Sequence, residues 1–374
     1  GKGWIEPILY HGLGTKVQTA KLPPLYTMLL VPCSLVGFKS YLAHRIWSAV
    51  LSSLGVLAGA ALGRQLAGPV VGGLTALGVA LCPNLWMPAY VGLSETVSPV
   101  LALAVLLAAY RMWRSPSLAP ALWLGAAIGL AALARDEMVV FAGLILLPLC
   151  YGRRGEGRPW PARLRLAGAG LAATAAVVAP WVTFNLVRFP HPVLITDRFG
   201  VTLASANCDH TWYGPFAGYW LESCAIAAVQ GVEGGESGQS GKATSTALRF
   251  IGHHAGDLPQ VEAERLGRTF AFWRVSQQMD FDAFFDGRPP PWTRVGLGSF
   301  YFLVALAPFG LMALKRGGWP AFPLWAVLAD VVLVVLVTYG QTRFRATLEP
   351  VLVLLAAVAI GRWAGAAPPT VSTR

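Results

Sequence analysis

Eight charged residues beside long apolar stretches are the side chains of this sequence that could do chemistry. Charge close to hydrocarbon is costly, so residues in such places usually have a function. Arginine and lysine bind phosphate, whereas carboxylates bind sugar hydroxyls or accept a proton. The set therefore suits a phosphate-headed lipid, and snorkelling or mutually paired loop charges are the structural alternative. The residues are Lys21, Arg45, Glu95, Arg135, Asp136, Glu137, Arg343 and Arg345.

These charges are set in a strongly apolar chain. Of its 374 residues, 55% are hydrophobic and only 13% are charged, and the mean hydropathy is +0.56. An ordinary soluble domain carries about 25% charged residues. The composition excludes a disordered chain and argues against a soluble two-domain protein. The net charge of +11 indicates Arg-rich cytoplasmic loops rather than nucleic-acid binding, so no nucleic-acid partner is expected.

Nine apolar segments predict an all-α, polytopic bundle of about nine transmembrane helices. Lipid offers the backbone no hydrogen-bond partners, so spanning segments of this length must be helical. The Arg-rich connections, of which 153–165 is the richest, fall on one side of the membrane if the nine segments alternate. By the positive-inside rule that side is the cytoplasm. The segments are 42–62, 67–84, 96–113, 118–134, 138–152, 166–187, 296–314, 321–339 and 346–363.

This topology divides the chain into five predicted parts. They are an extracytoplasmic loop with an interfacial helix (1–41), six spans (42–187), a large extracytoplasmic loop region (188–295), three spans (296–363) and a cytoplasmic tail (364–374). The apolar residues 22–38 are placed at the outer interface, because counting them as a span would move the Arg-rich segment outside. A true span with an unusual topology is the alternative.

The large outer region has its own local signals. A Gly/Ser-rich stretch at 231–241 predicts a flexible loop, and helices are expected near 243–255 and 258–276. The sequence DHTWY at 209–213 predicts either a sugar pocket or a packed loop core. Asp330, inside a predicted span, is interpreted as the donor or acceptor of a helix–helix hydrogen bond.

The cysteines and histidines add little chemistry. Cys208 and Cys224 lie in the outer region, and whether they form a disulfide stays open; such a bond would contribute about 3 kcal/mol. The other three cysteines lie in apolar runs and are interpreted as packing residues. The histidines form no HExxH or HxxxH pair, so no metal site is expected.

Several short motifs recur in a familiar order along essentially the whole chain. They are KLPPLYTMLL followed by YLAHRIW, then GLSETVSP, GLAALARDE, APWVTFNLVRF, LGRTF and YGQTRFRATLEP. They resemble motifs of bacterial membrane glycosyltransferases of the C-type (GT-C) fold. These are the relatives of polyprenyl- and dolichyl-phosphate-mannose protein mannosyltransferases and of the lipid A aminoarabinose transferase. The last two motifs resemble an actinobacterial branch.

The resemblance implies a reaction and a set of site residues. A sugar would move from a polyprenyl-phosphate-linked donor to a hydroxyl of an extracytoplasmic glycan, lipid or protein, without a cofactor. The protein would be a multi-pass cell-membrane protein whose active site faces the extracytoplasmic side. The resemblance implies that the lipid phosphate is bound by Lys21, Arg45, Arg343 and Arg345. It implies sugar or acceptor binding by Tyr26, Glu95, Arg135, Asp136 and Glu137.

The catalytic acid of the family has no counterpart in this sequence. The family places that Asp just after its first transmembrane helix, and both features would lie upstream of Gly1. The chain is therefore expected to be a family member without its start or a degenerate copy, and no catalytic residue is named. A secondary transporter or lipid flippase is the alternative, and it would need charge at the bilayer midplane. A non-catalytic membrane scaffold is the third hypothesis.

Overall fold

The computed structural model describes residues 4–152, 159–232 and 235–365. These residues are helical, as predicted, and they contain no β-strand; an isolated antiparallel bridge joins Ile5 to Gln18. Three predicted features lie partly outside the described residues. These are the Arg-rich segment 153–165, the Gly/Ser-rich loop 231–241 and the cytoplasmic tail 364–374.

The α-helices are numbered in chain order. They are α1 (Pro7–Leu13), α2 (Pro24–Leu35), α3 (Tyr41–Ala67), α4 (Pro69–Leu81), α5 (Pro83–Val91), α6 (Ser98–Arg114), α7 (Leu118–Ala134), α8 (Leu147–Tyr151), α9 (Trp160–Arg188), α10 (Phe199–Ala206), α11 (Asp209–Trp212), α12 (Glu222–Val229), α13 (Gly235–His253), α14 (Leu258–Thr269), α15 (Val275–Asp286), α16 (Pro290–Arg316), α17 (Phe322–Val337) and α18 (Glu349–Trp363). Short 3₁₀ turns lie between some of them, at Ser94–Thr96, Asp136–Val140 and Thr342–Thr347.

The chain forms two compact units. The larger unit consists of Leu25–Ala176, Val275–Val331 and Thr342–Arg374. The smaller unit consists of Gly1–Pro24, Val177–Arg274 and Val332–Gln341. Helices α9 and α17 contribute residues to both. Each unit is therefore assembled from segments that are far apart in sequence.

Several helices are long and apolar enough to cross a membrane. Four meet both criteria within the described residues, namely Tyr41–Ala67, Ser94–Arg114, Trp160–Arg188 and Pro290–Arg316. A fifth is obtained if α4 and α5, which are bent by 43° at their junction, form one span. Helices α2, α7 and α17 are apolar but shorter. Each predicted span is helical in the structure, and the arrangement of nine spans stays a prediction.

Small residues let the helices of the larger unit approach closely. A Cβ at Gly310 of α16 would overlap the carbonyl oxygen of Leu355 in α18, and one at Gly125 of α7 would overlap the carbonyl of Gly170 in α9. Close backbone approach at small residues is a typical way of packing apolar helices. Helix α18 is buried on nearly all its faces, as expected of a helix that is apolar all round. The larger unit is thus a packed helical core around α18.

One local prediction is wrong. The Gly/Ser-rich stretch 231–241 was expected to be a flexible loop, but α13 begins at Gly235. Ala243 and Ala247 of this helix are fully buried against Leu203 and Ala204 of α10. Tertiary packing of a small-residue helix face therefore outweighs the low helix propensity of Gly and Ser.

Candidate functional site

Glu95 lies in the larger unit, at the junction between α5 and α6. Helix α5 is ended by Gly92, whose φ of +79° is readily adopted only by glycine. The 3₁₀ turn Ser94–Thr96 follows, and Pro99 starts the first turn of α6. The turn places Glu95 in the interior, with only 4% of its surface exposed. A carboxylate buried this deeply needs a cationic partner.

Arg135 is the main cationic partner of Glu95. Helix α7 ends at Ala134, and Arg135 takes an extended conformation before the 3₁₀ turn Asp136–Val140. Its Nη1 donates to Glu95 Oε1 at 2.9 Å, and its Nε donates to Glu137 Oε1. Burial opposes the charged form of Arg135, but the charges of Glu137 and Glu95 outweigh burial and raise its pKa. Arg135 therefore remains a cation shared between two carboxylates.

Arg343 extends these pairs to a second group of charges. Its Nε lies 3.6 Å from Glu95 Oε1, and its Nη1 lies 3.4 Å from Asp286 Oδ1. Arg288 is next, at 3.5 Å from Asp286 Oδ2 and 3.8 Å from Asp282 Oδ2. We call this set the buried charge network; its members are Glu95, Arg135, Glu137, Asp282, Asp286, Arg288 and Arg343. It contains three arginines and four carboxylates, so its formal charge is slightly negative.

Two carboxylates of the network are biased toward the protonated form. Burial raises the pKa of Glu137, and Arg135 offsets only part of that effect. Burial likewise raises the pKa of Asp286, against the opposing charges of Arg343 and Arg288. These two groups therefore keep a proton to a higher pH than ordinary surface carboxylates do.

Arg345 lies in the same unit but is occupied by other partners. Its Nε donates to Glu349 Oε1 at 2.8 Å, and its guanidinium stacks 3.8 Å from the centre of the Phe300 ring. Glu349 also accepts from the side chain of Asn84 at 2.9 Å. Because Arg345 is only 4% exposed, its position favours a supporting role over direct contact with a ligand.

Two further predicted residues of the larger unit lie on α2 and α3. Arg45, near the start of α3, stacks 3.8 Å from the centre of the Tyr90 ring, and its buried Nε has no hydrogen-bond partner among the described residues. Tyr26 is buried, and its hydroxyl forms a 2.8 Å hydrogen bond with Ser48. Tyr26 packs with Val97 and thereby supports the α5–α6 junction.

Lys21 belongs to the smaller unit. Its ammonium lies 3.0 Å from Glu6 Oε2 and 3.4 Å from Glu236 Oε1. Burial would lower the pKa of Lys21, but the hydrogen bond to Glu6 and the charge of Glu236 raise it above its ordinary value. Lys21 is thus a firmly charged side chain with two acidic partners in its own unit.

The structure therefore brings together some of the predicted residues. Glu95, Arg135, Glu137 and Arg343 are members of the buried charge network, and Asp136 precedes Glu137 in the same turn. Sequence reasoning missed Asp282, Asp286 and Arg288, because it treated 188–295 as one outer loop region. A signal was present: Asp282 and Asp286 are four residues apart in an aromatic-rich segment, which places them on one face of a helix.

Other residues singled out in the sequence lie outside the buried charge network. Cys208 and Cys224 form a disulfide. Cys208 directly precedes α11, and Cys224 lies in α12. Trp212 is 1% exposed and donates to Asn207, as in a packed loop core. Asp330 is buried in α17 with its Oδ1 unpartnered within the described residues. In the described part of the chain, no three His, Cys, Asp or Glu side chains are grouped as metal ligands would be.

Comparisons with known proteins give a structural relationship only. No family model and none of the curated proteins matches the sequence. The oligosaccharyltransferase of Archaeoglobus fulgidus, tethered with an acceptor peptide containing the NVT sequon, is 17% identical, with a TM-score of 0.52 over 96% of this chain and 43% of that one. Archaeal oligosaccharyltransferase AglB from the same organism, in complex with an inhibitory peptide and a dolichol-phosphate, is 15% identical, with a TM-score of 0.50 over 96% and 44%.

A third solved structure is less similar. ArnT from Cupriavidus metallidurans, bound to undecaprenyl phosphate, is 16% identical, with a TM-score of 0.41 over 93% of this chain and 69% of that one. A similarity this low does not by itself show a shared fold. The chain spans less than half the length of the archaeal oligosaccharyltransferase. The similarity to AglB shows that the two chains share a fold, and membership of the GT-C glycosyltransferases, including the actinobacterial mannosyltransferase-like branch, stays a prediction.

Proposed function

We propose that this chain is a membrane glycosyltransferase that moves a sugar from a polyprenyl-phosphate-linked donor to an extracytoplasmic acceptor hydroxyl. The observation that supports this most is the buried charge network, which lies at helix ends in a chain whose fold resembles that of AglB. One AglB structure contains a dolichol-phosphate, and we infer a donor of the same lipid class here. The acceptor would be a glycan, a lipid or a protein.

We assign the lipid phosphate to Arg343. Its side chain is 22% exposed, which makes it the most accessible arginine of the network. Arginine binds phosphate oxygens through two parallel hydrogen bonds, so one accessible guanidinium gives both affinity and orientation. Arg45 would add a second cation, because its Nε has no partner among the described residues. Arg345 would hold the network in place, and a role for Lys21 stays an implication of the resemblance alone.

The reaction needs a stabilised leaving group and a proton acceptor. The bond between the anomeric carbon and the phosphate oxygen breaks, its electron pair stays on the phosphate, and Arg343 stabilises the added charge. The acceptor hydroxyl forms the new glycosidic bond and gives its proton to a carboxylate base. Glu95, Asp136 and Glu137 would orient the sugar or the acceptor. We assign no base among the described residues.

The membrane arrangement is part of the proposal. Nine spans, with the loop region 188–295 on the extracytoplasmic side, would direct the Arg-rich connections to the cytoplasm. The charged helix ends of the larger unit would then lie near the outer leaflet of the cell membrane. A polyprenyl phosphate in that leaflet presents its headgroup at this depth. Cysteine accessibility to a membrane-impermeant maleimide, with single cysteines at exposed loop positions, would test this arrangement.

A lipid-binding measurement tests the phosphate assignment. We would titrate the full chain in nanodiscs with undecaprenyl phosphate and follow the complex by native mass spectrometry. Losing a charge-assisted hydrogen bond costs about 1.5–3 kcal/mol, so Arg343→Gln should weaken binding by about tenfold or more. Arg343→Lys should retain part of the affinity, since it keeps the charge.

A matched variant controls for net charge. Arg294 is exposed on α16 outside the network, and Arg294→Gln should change the affinity by less than about twofold. Elution and thermal unfolding of each variant must match the wild-type protein, so that a loss of binding is not a loss of fold. Wild-type affinity in Arg343→Gln would refute the phosphate assignment.

Asp330 favours a second candidate, a secondary transporter or lipid flippase. It is a buried acid within the apolar helix α17, as expected of a coupling-ion site. It lies close enough to Arg135 and Glu137 to interact electrostatically with both. Proton-coupled flux in proteoliposomes that is abolished by Asp330→Asn, together with unchanged lipid binding in Arg343→Gln, would support this candidate over the transferase.

A further inference from the structure

The smaller unit contains a polar cavity of about 370 Å³. This volume is near the lower end of the range for small-ligand sites, which is roughly 300–1,000 Å³. Its polar lining comes from the segment after α9 and from α13, and it consists of His191, Thr196, Asp197, Ser237, Ser240 and Thr244. Hydroxyl groups dominate this lining, in contrast to the guanidinium-rich network of the larger unit.

Two buried side chains of this lining have polar atoms without partners. Asp197 is 6% exposed and Ser237 is 8% exposed, and neither Asp197 Oδ2 nor Ser237 Oγ has a hydrogen-bond partner in the described part of the chain. Ser240 is different, since its Oγ accepts from the Gly200 amide at 3.2 Å. An unsatisfied buried polar group costs about 1–3 kcal/mol, so these two atoms favour a guest that supplies the missing hydrogen bonds.

The charges next to the cavity are balanced when Asp197 is protonated. Lys21 pairs with Glu6 and Glu236, and Arg188 lies close enough to interact electrostatically with Asp197 and Glu236. Burial, together with the neighbouring Glu236 carboxyl, raises the pKa of Asp197 to about 7. Below about pH 7, Asp197 is therefore mainly uncharged.

We propose that this cavity binds a neutral, hydroxyl-rich ligand, namely a saccharide. A protonated carboxyl and a serine hydroxyl each donate and accept hydrogen bonds, as sugar hydroxyls do. Within the described residues, the lining contains no lysine or arginine that would bind an anionic ligand, and it offers a cationic ligand no charged carboxylate while Asp197 is protonated. The proposal rests on the cavity of the smaller unit and does not require that the chain transfers sugars.

A saccharide can reach this cavity from two sources, and separate measurements distinguish them. The first measurement applies the fluorescently labelled full chain, in nanodiscs, to an array of neutral, acidic and amine-bearing oligosaccharides. The second compares the affinity for polyprenyl-phosphate hexose with that for bare polyprenyl phosphate. Binding of free neutral saccharides would identify an acceptor-type ligand. A preference for the lipid-linked hexose without binding of free saccharides would identify a donor-type ligand. Both outcomes support the saccharide site.

Variants of α13 and of Asp197 locate the binding. Ser237→Leu fills the cavity and should weaken saccharide binding by about tenfold or more, and Ser237→Ala should weaken it by a smaller factor because one hydrogen bond is lost. Asp197→Asn should also weaken binding. Ser245 lies on the same helix but is exposed, so Ser245→Leu should change binding by less than about twofold.

Three results would overturn the proposal. They are binding of amine-bearing or acidic saccharides alone, equal affinity of Ser237→Leu and Ser245→Leu for the bound saccharide, and no binding in either measurement. Thermal unfolding of each variant is recorded in parallel, and Ser237→Ala, which leaves the packing intact, replaces Ser237→Leu if the larger side chain prevents folding. Bare polyprenyl phosphate tests the proposed transferase separately, because its binding depends on Arg343 and not on Ser237.

Discussion

Replacing Arg135 by methionine should leave Glu137 as a largely buried carboxylate without a cation among the described residues. Glu95 would be affected less, because Arg343 remains 3.6 Å from it. The opposite change, Glu137→Gln, removes the charge that would be left alone and keeps the pair between Arg135 and Glu95. In the double variant the remaining pair, Glu95 with Arg343, is neutral. The four proteins therefore form a cycle in which only Arg135→Met contains an uncompensated carboxylate.

The structure sets the size of the expected effect. Removing one partner of a fully buried ion pair costs about 3–5 kcal/mol. Because 22% of the Glu137 side chain is exposed, we expect a smaller cost of about 2–3 kcal/mol for Arg135→Met. Glu137→Gln should cost about 1 kcal/mol, since Arg135 keeps a carboxylate partner. The double variant should be more stable than the sum of the two costs predicts, by about 1–2 kcal/mol.

Reversible unfolding in mixed micelles of dodecyl maltoside and dodecyl sulfate, followed by tryptophan fluorescence, gives the four free energies of unfolding. Arg294→Met on α16 is the control for removal of an exposed arginine, and its effect should stay within about 0.5 kcal/mol. If the costs of Arg135→Met and Glu137→Gln add up in the double variant, the two side chains do not interact energetically. The inference that a shared arginine holds the network together would then be refuted.

Two further predictions concern packing and pH. Gly310→Ala should lower the stability by about 1–3 kcal/mol, because the new methyl group meets the carbonyl of Leu355. The control is Gly298→Ala on the same helix, whose methyl group meets no atom within 4 Å and which should be neutral or slightly stabilising. Thermal unfolding of both variants would test this. Asp197 keeps its proton up to about pH 7 in the folded protein, but it loses the proton near its ordinary pKa of 3.8 when the protein is unfolded. The stability of the wild-type protein should therefore fall from about pH 4 to pH 7 and then level off. Asp197→Asn, which is uncharged at every pH, should remove that decline and be more stable than wild type at pH 8 by about 1–2 kcal/mol after allowance for screening. An unchanged pH profile would contradict this.

The helices could be predicted because composition controls them directly. Stretches such as 96–113 and 296–314 are apolar over lengths that only a helix can occupy in lipid, and the structure has helices there. Their interruptions were harder to predict. The segment 138–152 was expected to be one short span, but the structure divides it into a 3₁₀ turn, a π-helical turn at Ala142–Leu146 and the short helix α8. Local hydrogen-bond geometry of this kind depends on tertiary contacts that apolar composition does not specify.

The charges next to apolar stretches could be identified, but not their partners. Glu95, Arg135 and Arg343 are far apart in sequence and meet because three helix junctions converge, and periodicity within a helix carries no information about such junctions. Asp286 was missed because its segment was treated as part of an outer loop. Arg345, two residues from Arg343, was expected to have the same role, yet it is buried against Glu349. Neighbours in a 3₁₀ turn point in different directions, so adjacent cations need not share a ligand.

The balance of charge in the network has a consequence for anion binding. Three arginines face four carboxylates, so a phosphodiester with one negative charge would bind against a small negative excess unless a carboxylate is neutralised. Burial already biases Glu137 and Asp286 toward protonation, so a bound anion should raise both pKa values further and draw protons into the site. Isothermal titration of polyprenyl-phosphate hexose in two buffers of different ionisation enthalpy should therefore show proton uptake, reduced in Glu137→Gln. Binding with no proton uptake would mean that these carboxylates stay charged, and that Arg343 meets the phosphate only by separating from Glu95 and Asp286.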